Sequence, residues 1–169
     1  MEWTASEGRL DDRVLEELYR RVFGYQFRLA GGNRPAAEEL AQETMVRILR
    51  SREDLRDPGR LIPWALRIAT HVRIDALRRR PAAELGREVE DPRGTAEPRS
   101  REETSAVLSQ LAALPESYRA PITLRYFEDL GYEEMSAILD LPVGTVKSNV
   151  ARGLRLIRRR MEETNDGLR

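Results

Sequence analysis

Apolar positions along this chain recur every three or four residues, the period of an α-helix, in one segment after another. Leu15, Leu18, Tyr19, Val22, Phe23 and Phe27 predict a helix from about Leu10 to Ala30, ended by Gly31-Gly32-Asn33. Pro35 stands where a second helix can begin, and Ala37, Leu40, Ala41, Thr44, Met45, Ile48 and Leu49 form its buried face. Ser51 to Gly59 is a polar loop with Asp57-Pro58-Gly59 as a turn. A third helix follows from about Leu61 to Arg80 around Ala65, Ile68, Ala69, Val72 and Ala76, and Pro81 stops it. The stretch PAAELGREVEDPRGTAEPRS then carries three prolines, two glycines and no aromatic residue. Such a segment cannot bury a core and reads as a flexible linker. Two more helices are expected near Glu103 to Ala113 and Ser117 to Phe127. Pro121 interrupts the second of these, which either starts late or bends there. Nothing strand-like of convincing length occurs. The expected fold is all-α: two small helical domains, residues 1–80 and 103–169, joined by a linker at 81–102.

The pattern is sharpest from Tyr132 to Met161. Glu133 and Glu134 sit in the first turn of a short helix, where carboxylates favour the helix dipole, and Met135, Ile138 and Leu139 are its apolar side. Leu141-Pro142-Val143-Gly144 breaks that helix. A longer one follows, with Val146, Val150, Leu154 and Ile157 as its stripe and Lys147, Arg152, Arg155, Arg158, Arg159 and Arg160 largely outside it. A short helix, a turn and a basic helix make a helix-turn-helix, which fits the DNA major groove. The bland alternative is a solvated basic helix on an ordinary bundle.

Composition narrows the function classes. The chain has 169 residues with 29 basic and 29 acidic side chains, so DNA affinity must come from local asymmetry rather than an overall positive field. That asymmetry exists: Arg152 to Met161 holds five arginines and no acid, whereas Glu84 to Glu103 is acid-rich. The absence of cysteine excludes a disulfide framework, a zinc ribbon and thiol catalysis. His71 is the only histidine, so no metal site is expected, and no cofactor. Glu43, His71 and Asp75 form no nucleophile-and-base set, which leaves an enzyme unsupported. No apolar run has membrane-spanning length, and MEWTASEGRLDDR lacks the plan of a signal peptide, so a cytoplasmic protein without membrane insertion is expected.

Three segments read together, AEELAQETMVRILR (37–50), WALRIATHVRIDALRRR (64–80) and LPESYRAPITLRYFEDLGYEEMSAILDLPVGTVKSNVARG (114–153), resemble the extracytoplasmic-function (ECF) sigma factors of the sigma-70 family. These are small bacterial sigma factors that keep only the family's second and fourth regions. The likeness covers roughly residues 16–161, with both regions in order. The turn alone is not specific, because response-regulator output domains carry a similar one; the two preceding motifs make the assignment specific.

The resemblance implies partners and sites. Glu39, Gln42, Glu43, Arg47 and Arg50 form a charged stripe on the second helix, with Val46 as an apolar anchor, where the family docks on core RNA polymerase. Read from the residues alone, the same stripe is a solvated face with internal Glu–Arg pairs. On the third helix Trp64, Arg67, His71, Arg78 and Arg79 fall where the family opens and captures the promoter's −10 element, although Trp64 also reads as a core cap. Arg73 belongs to the same basic set. Here the chain departs from the family pattern: Leu61 replaces a common aromatic, Pro63 interrupts the approach to Trp64, and Thr70-His71 replaces a frequent Arg-Asn pair. Pro142, Gly144, Thr145, Lys147, Ser148, Ala151, Arg152 and Arg155 correspond to the −35 element reader, with Asn149 where arginine is frequent. An anti-sigma protein is the further partner implied. The competing class is a DNA-binding regulator with an N-terminal sensing domain.

Overall fold

The computed structural model describes residues 10–79 and 106–166, which form helices and connecting turns without a strand. The expected linker from Pro81 to Arg101 lies outside the described residues. The described residues of Met1–Phe27 and Arg34–Glu88 make one compact unit, and those of Arg28–Asn33 and Val89–Arg169 a second.

Helix α1 (Asp12–Leu29) is capped by Asp11, whose carboxylate accepts the Val14 amide at 2.8 Å. Its buried residues in the first unit are Leu18, Val22, Tyr25 and Gln26. Tyr19, Phe23 and Phe27, expected in that stripe, flank it half-buried and stack on one another at 6.2 and 5.7 Å between ring centroids. Helix α2 (Arg34–Arg50) buries Ala37, Leu40, Ala41, Thr44 and Ile48. Leu49, expected on that face, is instead 42% exposed: it lies about 100° around the helix from Ile48, beyond the buried arc. Ser51 to Arg60 forms two single 3₁₀ turns, Arg52–Asp54 and Pro58–Arg60, the second held by the Gly59 amide donating to the Asp57 carboxylate at 2.9 Å.

Helix α3 (Leu61–Arg79) runs straight through Pro63. The expected interruption does not occur, because Pro63 is the third helical residue and its missing N–H would have had no intrahelical partner. The core between α1 and α3 is partly polar. The Tyr25 hydroxyl meets Thr70 Oγ1 at 2.9 Å, Thr70 donates to the Leu66 carbonyl at 2.8 Å, and Gln26 Nε2 donates to the Ala69 carbonyl at 2.8 Å. Arg73, read from the sequence as part of the basic face, is only 7% exposed.

The second unit packs helix α4 (106–112), α5 (Glu116–Tyr126), α6 (Tyr132–Leu139) and α7 (Val143–Asp166). Leu111, Leu114 and Ile122 form its core with Leu156 and Ile157 against them. Helix α5 begins one residue before Ser117, so Pro121 falls at its sixth position, past the first turn, and the helix continues through it. Arg119 closes the end of α4: its guanidinium donates to the carbonyls of Leu111 at 2.8 Å, Ala112 at 2.6 Å and Leu114 at 2.8 Å. These are acceptors that a helix C-terminus leaves without intrahelical partners. Gly153 lets α7 approach α5, since a β-carbon there would lie 2.5 Å from Ile122 Cδ1 and 3.0 Å from Tyr118 Cβ. That approach shifts the buried stripe of α7 to Val146, Asn149, Val150 and Gly153, and leaves Leu154, expected inside, 37% exposed.

Candidate nucleic-acid interface

Helix α6 and the turn that leads from it into α7 are built by four local devices. The Glu134 carboxylate accepts the Gly131 amide at 3.0 Å and fixes the start of α6. Asp140 ends it in the left-handed region at φ 52°, which aspartate tolerates better than most residues. Ser136 Oγ then donates to the Leu141 carbonyl at 2.6 Å, holding the chain as it enters Pro142. Pro142 supplies the carbonyl for the first bond of α7, from the Val146 amide at 3.0 Å.

With α7 anchored by Val146, Val150 and Gly153, its other side faces outward. Pro142, Gly144, Thr145, Lys147, Ser148, Ala151, Arg152 and Arg155 are all exposed. At 100° per residue, Gly144, Ser148, Ala151 and Arg155 lie within about 60° of one another, flanked by Lys147 on one side and Thr145 and Arg152 on the other. The row is about 16 Å long, which suits a major groove. A β-carbon on Gly144 would meet nothing within 4 Å, so the fold does not require glycine there and the backbone stays open to an approaching ligand. Asn149 does not belong to this row: it is 8% exposed, on the buried side.

Two residues that sequence reasoning passed over stand beside the row. The Tyr132 ring carries Lys147 Nζ and the Arg125 guanidinium, each 5.3 Å from its centroid. Arg125 is also fastened by donating to the Leu130 carbonyl at 2.9 Å. Lys147 is the chain's only lysine among 29 basic residues, a signal that was legible in the sequence.

In the first unit the predicted sites are less uniform. On α3, Arg67, Arg78 and Arg79 are exposed, whereas Trp64 and His71 are half-buried; Trp64, Arg67, His71 and Arg78 fall within about 60° around the helix. Thr70 and Arg73 turn inward and drop out of this face. On α2, Glu39, Gln42, Glu43, Val46 and Arg50 are exposed, and Val46 and Leu49, at 40% and 42% exposure, add an apolar pair three residues apart. Arg47 behaves differently. Its guanidinium binds Glu43 at 2.9 Å and reaches across to Asp75 of α3 at 2.8 Å. The Arg47 hydrogen bond holds the Asp75 carboxyl below its usual range. Glu43 and Asp75 therefore share one arginine. Among the described residues no group of acidic, histidine and cysteine side chains is arranged to hold a metal ion, and no helix is long and apolar enough to cross a membrane.

These two units coincide with two known protein families. Residues 14–82 match sigma-70 region 2, and residues 104–157 match sigma-70, region 4. An ECF RNA polymerase sigma-E factor of Haemophilus influenzae is 31% identical over 163 residues, covering 83% of this chain and 85% of that protein. The ECF RNA polymerase sigma factor SigE of Mycolicibacterium smegmatis is 34% identical over 155 residues and covers 87% of this chain, which spans 60% of that relative's length. In fold, the chain is similar to the sigma factor RpoE of Bartonella quintana, solved in complex with the anti-sigma factor NepR: the TM-score is 0.71 at 19% identity, over 89% of this chain and 95% of that one. The class is thus a two-region sigma-70 protein. The chain belongs to the ECF sigma factors of that family.

Proposed function

We propose that this chain works as an ECF sigma factor that binds core RNA polymerase, directs it to particular promoters and leaves the chemistry of transcript synthesis to the polymerase. The observation that carries the reading is the exposed row from Pro142 to Arg155 on a helix anchored from behind, in a chain of this family. In this reading Lys147 and Arg152 reach base edges of the −35 element and Arg155 grips phosphate, with Gly144 and Thr145 at the helix start and Ser148 and Ala151 between. Trp64, Arg67, His71, Arg78 and Arg79 serve the −10 element. Glu39, Gln42, Glu43, Val46 and Arg50 meet the polymerase, and Arg47 supports them from its bridge to Asp75. Residues 1–80 and 103–169 act as separate modules on a tether at 81–102. Work on polymerase sets the chain's place in the cytoplasm, and a relative solved with an anti-sigma factor supports a regulator of that kind here.

The decisive experiment is reconstituted transcription with bacterial core polymerase, followed by mapping of start sites. Start sites that appear only with the chain present, sharing spaced −35 and −10 sequences, are expected. A chain that instead bound duplex DNA tightly on its own, and did not engage polymerase, would be a helix-turn-helix regulator.

A further inference from the structure

Tyr132 stands at the first position of α6, where a short side chain would satisfy the helix equally well. Its ring instead takes two cations, Lys147 from α7 and Arg125 from α5, both 5.3 Å from the centroid. Among the described residues neither cation is paired with a carboxylate; Glu134 on α6 is engaged with the Gly131 amide at 3.0 Å. Each cation therefore needs another partner to hold it. The negative face of the tyrosine ring does this for both. The Leu130 carbonyl, 2.9 Å from Arg125 Nη1, anchors one of them further. Lysine is the residue for which such holding matters most. An arginine brings a rigid fork, whereas a lysine is a point charge on four rotatable bonds. Every other basic residue of the chain is arginine, and the sole lysine is the one seated on this ring.

We infer that Tyr132 is a positioning residue for promoter reading: its ring confines the Lys147 ammonium to one direction, so that Lys147 discriminates among base pairs instead of sampling several acceptors. Arg125 shares the ring. The inference rests on the reading of Lys147 as a −35 contact. It predicts that losing the ring relaxes discrimination while leaving overall affinity largely in place. Holding of this kind at an exposed site is worth roughly a two- to fivefold change in preference.

The single lysine makes a direct test possible. Reductive methylation of the full chain with labelled formaldehyde marks Lys147 and the terminal amine only. Carbon-13 and proton spectra should then show the dimethyl-lysine signal displaced upfield by the ring, retained in Tyr132→Phe and returned to the free-lysine position in Tyr132→Leu. In parallel, holoenzyme reconstituted with wild type, Tyr132→Leu, Lys147→Ala and the double variant is assayed against promoters varied at each −35 base pair. Tyr132→Leu should lower discrimination two- to fivefold, Tyr132→Phe should restore it, and the double variant should match Lys147→Ala alone. A dimethyl-lysine signal at the free-lysine position in the wild type overturns the contact. Additive effects of Tyr132→Leu and Lys147→Ala overturn the positioning role. A ring-shifted signal together with an inert Lys147→Ala overturns the assignment of Lys147 to promoter reading, and the positioning role with it, while leaving the contact standing. Thermal melting of each variant separates these outcomes from unfolding.

Discussion

The recognition helix of the second unit and the paired helices α2 and α3 of the first use arginine in different ways. In the second, the basic residues of the recognition helix point outward, and the core behind them is aliphatic, built from Leu111, Leu114, Ile122 and the α7 side chains against them. In the first, arginines are drawn into the fold: Arg73 is buried and Arg47 bridges α2 to α3 through Asp75. The core there also holds Tyr25, Gln26, Thr44 and Thr70. A basic residue on an amphipathic helix therefore means something different in each unit. On α7, distance from the apolar stripe separates ligand-facing from structural residues. On α3 it does not, because part of the stripe is polar.

The largest effect that could break this contrast is at Gly153. Gly153→Leu forces a side chain into the space of Ile122 and should cost about 3 kcal/mol, melting the second unit. Gly144→Ala, nine residues short of it on the open side, should leave melting unchanged or slightly raised while weakening promoter binding. Amide hydrogen exchange, read unit by unit, checks both. If Gly153→Leu spares the protection of α5, the close approach is not what holds α7.

Next in size are the effects on promoter recognition. Lys147→Ala or Arg152→Ala should cost about 1–3 kcal/mol at one base pair of the −35 element, whereas Arg158→Ala should weaken all sequences alike and flatten the salt dependence. Uniform losses from all three in a holoenzyme binding assay would move base reading elsewhere on the helix. Docking on polymerase is best tested with Glu43→Arg alone. Reversing Arg47 would set a carboxylate against Asp75 and confuse stability with binding. Wild-type affinity of the Glu43→Arg chain for core polymerase would remove the α2 stripe from the docking surface.

Smaller effects test the polar core. Tyr25→Phe removes the hydroxyl that meets Thr70 and should cost about 1 kcal/mol, visible in a tryptophan fluorescence melt. The Asp75 pair adds an acid dependence confined to the first unit. Asp75 binds its proton more weakly folded than unfolded, so its contribution is complete above the usual carboxylate range and is lost as pH falls through the depressed value. Asp75→Asn should lower stability at neutral pH and flatten the acid limb of the melt. An unchanged acid limb would show that the half-exposed pair is screened by solvent.

The helices were legible because the 3.6-residue period is strong where the core is aliphatic, as at Leu40, Ala41 and Ile48 or Val146 and Val150. The cap at Gly31-Gly32 and the turn at Pro142 were legible from backbone chemistry. What escaped is of three kinds. Tyr25, Gln26 and Thr70 were left out of the expected core and Arg73 was placed on the basic face, because a polar residue announces nothing about a partner on another helix. Leu154 and Leu49 read as core because a stripe read from the sequence has no width until the neighbouring helix is seen, and at Gly153 that neighbour comes closer than any side chain would permit. Tyr132, Arg125 and Arg119 escaped for a third reason, since each acts on groups that only the fold brings near.

Helix α7 runs for 24 residues, yet the last of its described residues against the hydrophobic core is Ile157, with only Arg160 half-buried beyond it. Beyond that point Arg158, Arg159, Met161, Glu162 and Glu163 are exposed. Helical stability here is supplied from one end, so the backbone should fray progressively from the other, with amide protection decaying turn by turn past Arg160. A polyanion lying along this segment would oppose the fraying, and part of its binding free energy would be consumed in completing the helix. Temperature would then weaken the grip of Arg158 and Arg159 on phosphate before it touched the contacts made by the first turns of α7.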